Sequence, residues 1–110
     1  MRTKGISYLS IDGIVIKTPQ EFKTQAGNKR KVFTILHNYN DLHEQEYIVQ
    51  LFDEAADKDV RKGDCIFICN GKFYTRIKNN NLELIVRTAT LADIRIDANF
   101  DQGIMSADNL

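Results

Sequence analysis

The chain has 110 residues, in which 15 Lys and Arg balance 15 Asp and Glu to give a formal net charge of zero. A chain of this length is expected to form one domain that buries roughly two-thirds of the surface exposed by its unfolded form, without disulfides or metals. Zero net charge excludes any argument for nucleic-acid binding from overall charge, so only the distribution of charge can point to such a partner.

The first predicted strand spans residues 6–17, in which apolar and polar side chains alternate with the period of a half-buried strand. Gly13 lies inside this strand, where a glycine is typical of a bulge or of a sharp bend at the corner of a small barrel. Pro19 ends the strand. Residues 20–31 predict a turn, because they contain an Ala-Gly-Asn sequence that tolerates positive φ.

Two further strands are predicted at residues 31–38 and 46–52, joined by a polar connection at residues 39–45. The 31–38 strand is apolar on both faces. In the 46–52 strand, the alternation buries Tyr47, Val49 and Leu51. Gln50 marks the opposite, outer face, and Phe52 follows it at the strand period, so the ring of Phe52 is predicted to lie outside the core.

A short helix is predicted at residues 53–62, because it begins with acidic residues and ends with Arg-Lys, as the helix dipole favours. Strands at residues 64–78 and 82–96 follow, joined by a hairpin turn of three asparagines. Five strands with one helix between the third and the fourth is the order of the OB-fold. The sequence therefore predicts an all-β, five-stranded Greek-key barrel, a fold whose face and loops bind oligonucleotides and oligosaccharides.

Charge divides the chain into two predicted regions. Residues 1–92 hold 14 basic and 11 acidic residues, whereas residues 93–110 hold one basic and four acidic residues. A basic body with an acidic end is a pattern found in nucleic-acid-binding proteins. We expect an OB-fold domain over residues 1–97 and a short, flexible acidic tail over residues 98–110.

The strand at residues 64–78 changes character at Gly71. Before the glycine both faces are apolar, and Phe67 is predicted to pack against another subunit. After it, Tyr74, Arg76 and Lys78 share an outer face, a composition that suits unpaired nucleic acid but also a solvated polar face. The candidate phosphate-binding cations are Lys72, Arg76, Lys78, Arg87, Arg30 and Lys31.

Catalytic and metal-binding motifs are not found in the sequence. Cys65 and Cys69 lie about 13 Å apart on one predicted strand, too far for a disulfide, so reduced thiols are expected. With only His37 and His43 in addition, the spacing of zinc ligands is not met. There is no Gly-rich phosphate loop and no nucleophile elbow. We therefore expect a protein that is not an enzyme and that uses no cofactor or metal.

The arrangement of several motifs resembles the bacterial and phage single-stranded DNA-binding proteins over residues 6–96. The matching residues are Leu51-Phe52, Lys62-Gly63, the strand Cys65 to Cys69, Gly71 and Thr75-Arg76. The resemblance implies that Phe52 stacks on a base. Two tryptophans that stack in well-known members have no counterpart here, and the candidate substitutes are Tyr39, Tyr47 and Tyr74.

The resemblance implies a protein that coats exposed single strands in DNA replication or recombination with little sequence preference, as a dimer or tetramer. Residues 100–110 lack the Asp-Ile-Pro-Phe tip of bacterial members, which favours a phage or mobile-element type. No membrane-spanning run or signal peptide is present, so a cytoplasmic protein without membrane contact is expected. The alternatives are an OB-fold adaptor that contacts replication proteins, an RNA-binding OB-fold, and a barrel for a small ligand or oligosaccharide.

Overall fold

The computed structural model describes residues 7–40 and 43–97, and it leaves the side chains of Tyr39, Asn40, His43 and Ala92 undescribed. The strands are β1 (Ser7–Val15), β2 (Gln20–Lys23), β3 (Lys29–Asn40), β4 (His43–Phe52), β5 (Cys65–Lys78), β6 (Asn81–Thr88) and β7 (Ile94–Asp97). Two short 3₁₀ helices connect them, at Asp53–Asp57 and at Leu91–Asp93.

The strands β1, β3, β4, β6 and β5 form a closed barrel. They pair in that order, and β5 pairs again with β1, which closes the sheet on itself. All pairs in the barrel are antiparallel except β4 with β6. The two remaining strands lie outside this closed ring: β2 pairs with β3, and β7 pairs with β5. The predicted all-β OB-fold is confirmed.

The core fills the barrel with the apolar side chains that strand alternation predicts. Completely or almost completely buried residues include Phe33, Ile35, Val49, Leu51, Ile66, Ile68 and Val86. Burying a side chain of this kind stabilises the fold by about 1.5–3 kcal/mol each before the loss of conformational entropy is counted. Because these residues alternate along their strands, the intervening residues form the outer face of the barrel.

Gly13 allows a close approach between strands rather than a bulge. It pairs regularly with Ile66, while a Cβ at this position would lie 2.8 Å from the carbonyl oxygen of Leu36 on β3. The bulge lies on the opposite strand instead, where Asn70 has a φ of 55° and its N–H donates to Ser10 Oγ at 3.3 Å. The predicted bulge at Gly13 is therefore wrong, and the glycine instead lets β1 lie close to β3 at the point where the two strands begin to pair. The alternative, a bend at a barrel corner, stays a prediction.

The helix predicted at residues 53–62 is reduced to one 3₁₀ turn, Asp53–Asp57. After this turn, the backbone of residues 58–63 makes hydrogen bonds to other parts of the chain. Lys31 Nζ donates to the carbonyl of Lys58, and Gly63 N–H donates to the carbonyl of Val15 at 2.8 Å. Asp64 accepts from the N–H of Arg61 at 2.9 Å. These tertiary bonds outweigh a helix propensity that is weak in so short a segment.

Other boundaries also differ from the prediction. The predicted turn at residues 20–31 contains β2 and a tight turn in which Gly27 has a φ of 86°. Most of the predicted polar connection at residues 39–45 belongs to strands, because β3 extends to Asn40 and β4 begins at His43. The predicted strand at residues 82–96 is two strands, β6 and β7, separated by the second 3₁₀ helix.

Some expectations lie outside the described residues. The acidic tail predicted at residues 98–110 is among them, and so is the start of the first predicted strand. Within residues 7–40 and 43–97, no helix has the length and apolar character needed to cross a membrane.

Candidate nucleic-acid interface

The outer face of the barrel carries a continuous row of rings and cations, with one residue from each of six strands. Strand pairing places Phe22 beside Arg30, and Arg30 beside Phe52. Residues that face each other across strands share one side of the sheet. In spatial order from β2 to β1, the members of this cross-strand row are Phe22, Arg30, Phe52, Arg87, Lys72 and Tyr8.

The second half of the row follows from the pairing of the other three strands. Arg87 on β6 lies beside Gln50 on β4, two residues before Phe52. Lys72 on β5 pairs with Arg87, and Tyr8 on β1 pairs with Lys72. Five steps between neighbouring strands make the path of the row over the curved surface of the barrel about 24 Å long. The row therefore depends on the OB-fold strand order, because no two of its members are neighbours in the sequence.

Arg87 lies between two aromatic rings at the centre of the row. Its guanidinium carbon is 4.7 Å from the centre of the Phe52 ring and 5.2 Å from that of Tyr74. Both rings are half-buried. Cation–π contacts of this kind stabilise the arrangement by about 0.5–2 kcal/mol each. The two predicted stacking residues that the structure describes on this face thus share one cation.

Beside Arg87, Tyr74 and Gln50 are hydrogen-bonded to each other, whereas Nε of Arg87 has no hydrogen-bond partner among the described residues. The Tyr74 hydroxyl donates to Oε1 of Gln50 at 3.2 Å, which fixes the ring, and Gln50 is only 6% exposed. Gln50 lies on the outer face as predicted, but it is buried there. Arg87 Nε is buried and makes no hydrogen bond within the described part of the chain. A buried guanidinium N–H without an acceptor is unfavourable, and because this atom is buried by the protein only the other two guanidinium nitrogens are available to a ligand.

Two rings of the row are well exposed, Tyr8 at 61% and Phe22 at 43%. Tyr8 lines a groove of about 610 Å³ together with Phe52, Lys72 and Arg87. Phe22 lines a second groove of about 450 Å³ with Arg30, whose guanidinium carbon lies 5.0 Å from the ring centre. Residue-by-residue sequence reasoning missed both rings. Tyr8 could have been found on the polar side of its strand, whereas Phe22 lay in a segment predicted to be a turn.

The predicted phosphate-binding cations fall into four environments. Lys72, Arg87 and Arg30 lie in the row. Lys78 is exposed near the tip of the β5–β6 hairpin. Arg76 donates from Nε to Glu83 on β6 at 2.7 Å, so its charge is already compensated.

Lys31 occupies a different position from the other candidates. It is buried, its Nζ donates to the carbonyl of Lys58, and it lies 3.4 Å from a carboxylate oxygen of Glu21. We therefore leave Lys31 out of the candidate interface. The neighbouring Lys29 is exposed, and its hydrogen bond and attraction to Asp57 raise the pKa of Lys29 above its ordinary value.

The remaining predicted rings are not part of the described outer surface. Tyr47 is half-buried against the core, with its ring centre 6.2 Å from that of His37 in an edge-on arrangement and 6.4 Å from that of Phe73. The side chain of Tyr39 lies outside the described part of the chain. His37 Nδ1 lies 2.8 Å from the carbonyl oxygen of Asp12. Among the described residues, no group of three or more potential ligands could hold a metal ion.

The closed barrel with this strand order makes the chain an OB-fold protein, and solved structures agree. It is similar to the second single-stranded DNA-binding protein, SSBb, of Mycobacterium smegmatis, with 16% identity and a TM-score of 0.67, covering 84% of this chain and 90% of that one. The Plasmodium falciparum SSB, in complex with single-stranded DNA, has 18% identity and a TM-score of 0.64, covering 88% and 97%.

The mitochondrial single-stranded DNA-binding protein Rim1 of S. cerevisiae is also similar, with 20% identity and a TM-score of 0.61, covering 87% of this chain and 99% of that one. No protein-family model matches the sequence, and no curated protein matches it. At identities of this size the likeness establishes the OB-fold, while the site must be argued from its own residues.

Proposed function

We propose that this protein binds single-stranded DNA across the cross-strand row, with little sequence preference and without catalysis. The observation that carries the proposal is the row of rings and cations that follows the outer surface of the barrel across six adjacent strands. Unpaired bases offer flat surfaces to aromatic rings, and the phosphates between them need cations along the same path. The resemblance of the sequence to single-stranded DNA-binding proteins, and the similar structures of such proteins, support the same class of ligand.

The charges of the row favour an anionic ligand over a solvated polar face. Arg30, Lys72 and Arg87 make no ion pair with the described residues, whereas Arg76 and Arg95 each have a carboxylate partner. Two carboxylates, those of Asp53 and Asp93, line the same groove as Arg87, but neither forms an ion pair with it. A chain of zero net charge can thus present a locally positive path.

Finer aspects of the function rest on the family resemblance. We propose a role in DNA replication or recombination, a phage or mobile-element type, and a cytoplasmic location. A homo-oligomer is also proposed, with its contact on the first half of β5, where Phe67 is half-buried beneath Arg95 and Cys69 is exposed. Sedimentation of the purified protein would determine the number of subunits.

A titration of labelled oligo-dT at several salt concentrations tests the function. Log affinity should fall with log salt, with a slope of about −0.7 for each phosphate contact. The double variant Arg30→Ala/Lys72→Ala should make the slope shallower by about 1.4, because it removes two cations of the row. The matched control, Lys17→Ala/Lys62→Ala, removes two exposed lysines outside the row and should leave the slope unchanged.

Two results would refute this function. One is an affinity for oligo-dT that is undetectable or does not depend on salt, which would favour an adaptor that contacts proteins. The other is tighter binding of a matched RNA oligomer than of DNA, because stacking rings do not by themselves distinguish the two sugars.

A further inference from the structure

The rings of Phe52 and Tyr74 are not free to receive a base in this structure. The guanidinium carbon of Arg87 lies 4.7 Å and 5.2 Å from their centres, and both rings are half-buried. A base could stack on the covered faces only by displacing the guanidinium. Displacement would break two cation–π contacts in return for a base contact of similar strength. Direct stacking on these rings therefore offers little net gain.

The surroundings of Arg87 instead hold its guanidinium in place for a ligand. Tyr74 is anchored through its hydroxyl to the buried Gln50, so its side chain cannot easily swing away from the guanidinium. Arg87 makes no ion pair with a described residue, and its side chain lines the open groove beside Tyr8 and Lys72. Arginine normally loses about 2 kcal/mol of side-chain entropy when it is fixed by a ligand. Here the two rings restrict the side chain beforehand.

From this arrangement, which rests on the proposed function, we propose that Arg87 is the group that contacts DNA at the centre of the row. It binds a backbone phosphate, and Phe52 and Tyr74 are positioning residues that hold its guanidinium. The planar fork of donors on arginine matches the paired oxygens of a phosphate, and the charge of Arg87 lacks a protein partner. A phosphate contact carries no sequence information, in agreement with binding of low sequence preference.

In this arrangement, Tyr8 at the end of the row is the residue on which a base stacks. Its ring is 61% exposed, and no guanidinium lies over it among the described contacts. Tyr8 pairs with Lys72 across the strands and lines the same groove as Arg87. A base on Tyr8 would thus lie next to phosphates held by Lys72 and Arg87. This assignment moves the stacking position from Phe52, at the middle of the row, to β1.

Salt dependence separates the two roles, because loss of a stacking ring lowers affinity without changing the number of phosphate contacts. Arg87→Ala should make the slope of log affinity against log salt shallower by about 0.7. Phe52→Ala should also make this slope shallower, because the Arg87 guanidinium loses its contact with the Phe52 ring. Tyr8→Ala should weaken binding roughly 5- to 150-fold with the slope unchanged.

A double-mutant cycle between Arg87 and Phe52 completes the test. If Phe52 acts through Arg87, adding Phe52→Ala to Arg87→Ala should cause no further loss of oligo-dT affinity. Phe52→Leu keeps an apolar side chain but removes the ring, so it serves if the alanine variant unfolds. As a control, Arg61→Ala removes an exposed guanidinium outside the row and should leave affinity and slope unchanged.

The proposal fails if Phe52→Ala or Phe52→Leu weakens binding with an unchanged salt slope and the same loss recurs in the Arg87→Ala background. That result would assign the base to Phe52 itself. Tighter binding by Arg87→Ala would also overturn it, because Arg87 would then be a cover that DNA must displace. Lack of binding by the unaltered protein would instead refute the proposed function, and this is seen before any variant is made.

Discussion

The hydroxyl of Tyr74 shows how one polar atom organises the outer face. It donates to Gln50, a side chain that is buried although it points away from the core. A buried amide oxygen that loses its hydrogen-bond donor is unfavourable by about 1–3 kcal/mol. The ring of Tyr74 lies beneath Arg87, so this hydrogen bond connects the stability of the barrel to the position of the cation.

Tyr74→Phe should therefore destabilise the protein by about 1–3 kcal/mol, because the Gln50 oxygen stays buried without its donor. Urea denaturation would measure the change. Tyr8→Phe is the matched control, since the Tyr8 ring is largely exposed, and it should change the free energy of unfolding very little. Equal stability of the two variants would show that the Gln50 contact contributes nothing.

A second prediction at the residue scale concerns Gly71. A Cβ at this position would overlap Cγ1 of Val86, so Gly71→Ala should destabilise the protein by about 1–3 kcal/mol. Val86→Ala also destabilises, but it removes the atom that causes the overlap. The double variant should consequently lose less stability than the sum of the two single changes. Strict additivity of the unfolding free energies would contradict the crowding explanation.

At the scale of elements, the segment after β4 is held by hydrogen bonds to β1, to β3 and to Asp64 rather than by helical hydrogen bonds. The acidic start and basic end of this segment favour a helix, yet only Asp53–Asp57 is helical. The buried Lys31 on β3 binds the Lys58 carbonyl, which a pattern of neighbouring residues cannot reveal. The same contact explains why a lysine predicted to bind phosphate lies inside the protein.

Lys31→Met tests this role, because it keeps the length of the side chain and removes the donor. We expect a loss of about 1–3 kcal/mol in the free energy of unfolding, since the Lys58 carbonyl loses its partner. Lys29→Met is the control. It breaks an ion pair that is exposed on both sides and should change stability little. If Lys31→Met instead made the salt slope of DNA binding shallower with no loss of stability, the structural role would be wrong.

For the whole molecule, the fold was predictable because core and outer residues alternate along the long strands. Phe33 with Ile35, and Ile66 with Ile68, are buried at the strand period. The edge strand β2 was not predictable, since it is polar apart from Phe22 and depends on pairing with β3. The break between β6 and β7 was likewise not predictable, since β6 pairs with the second half of β5 and β7 with its first half.

The candidate site was predictable only in part. Strand phase places Phe52 on the outer face, and the structure agrees. The contact between Phe52 and Arg87 depends on the parallel pairing of β4 with β6, which joins segments more than 30 residues apart and leaves no local pattern. The position of Tyr8 in the row also depends on a pairing between distant segments, that of β1 with β5.

The central claim is that single-stranded DNA lies across the cross-strand row, and NMR mapping of backbone amides during an oligo-dT titration tests it most directly. The account predicts that shifts concentrate at Tyr8, Phe22, Arg30, Lys72 and Arg87, which lie on five of the six strands of the row. The amides of β7 and of residues 60–64, which lie outside the row, should move little. Shifts centred on β7, or none in the row at saturating DNA, would contradict the account.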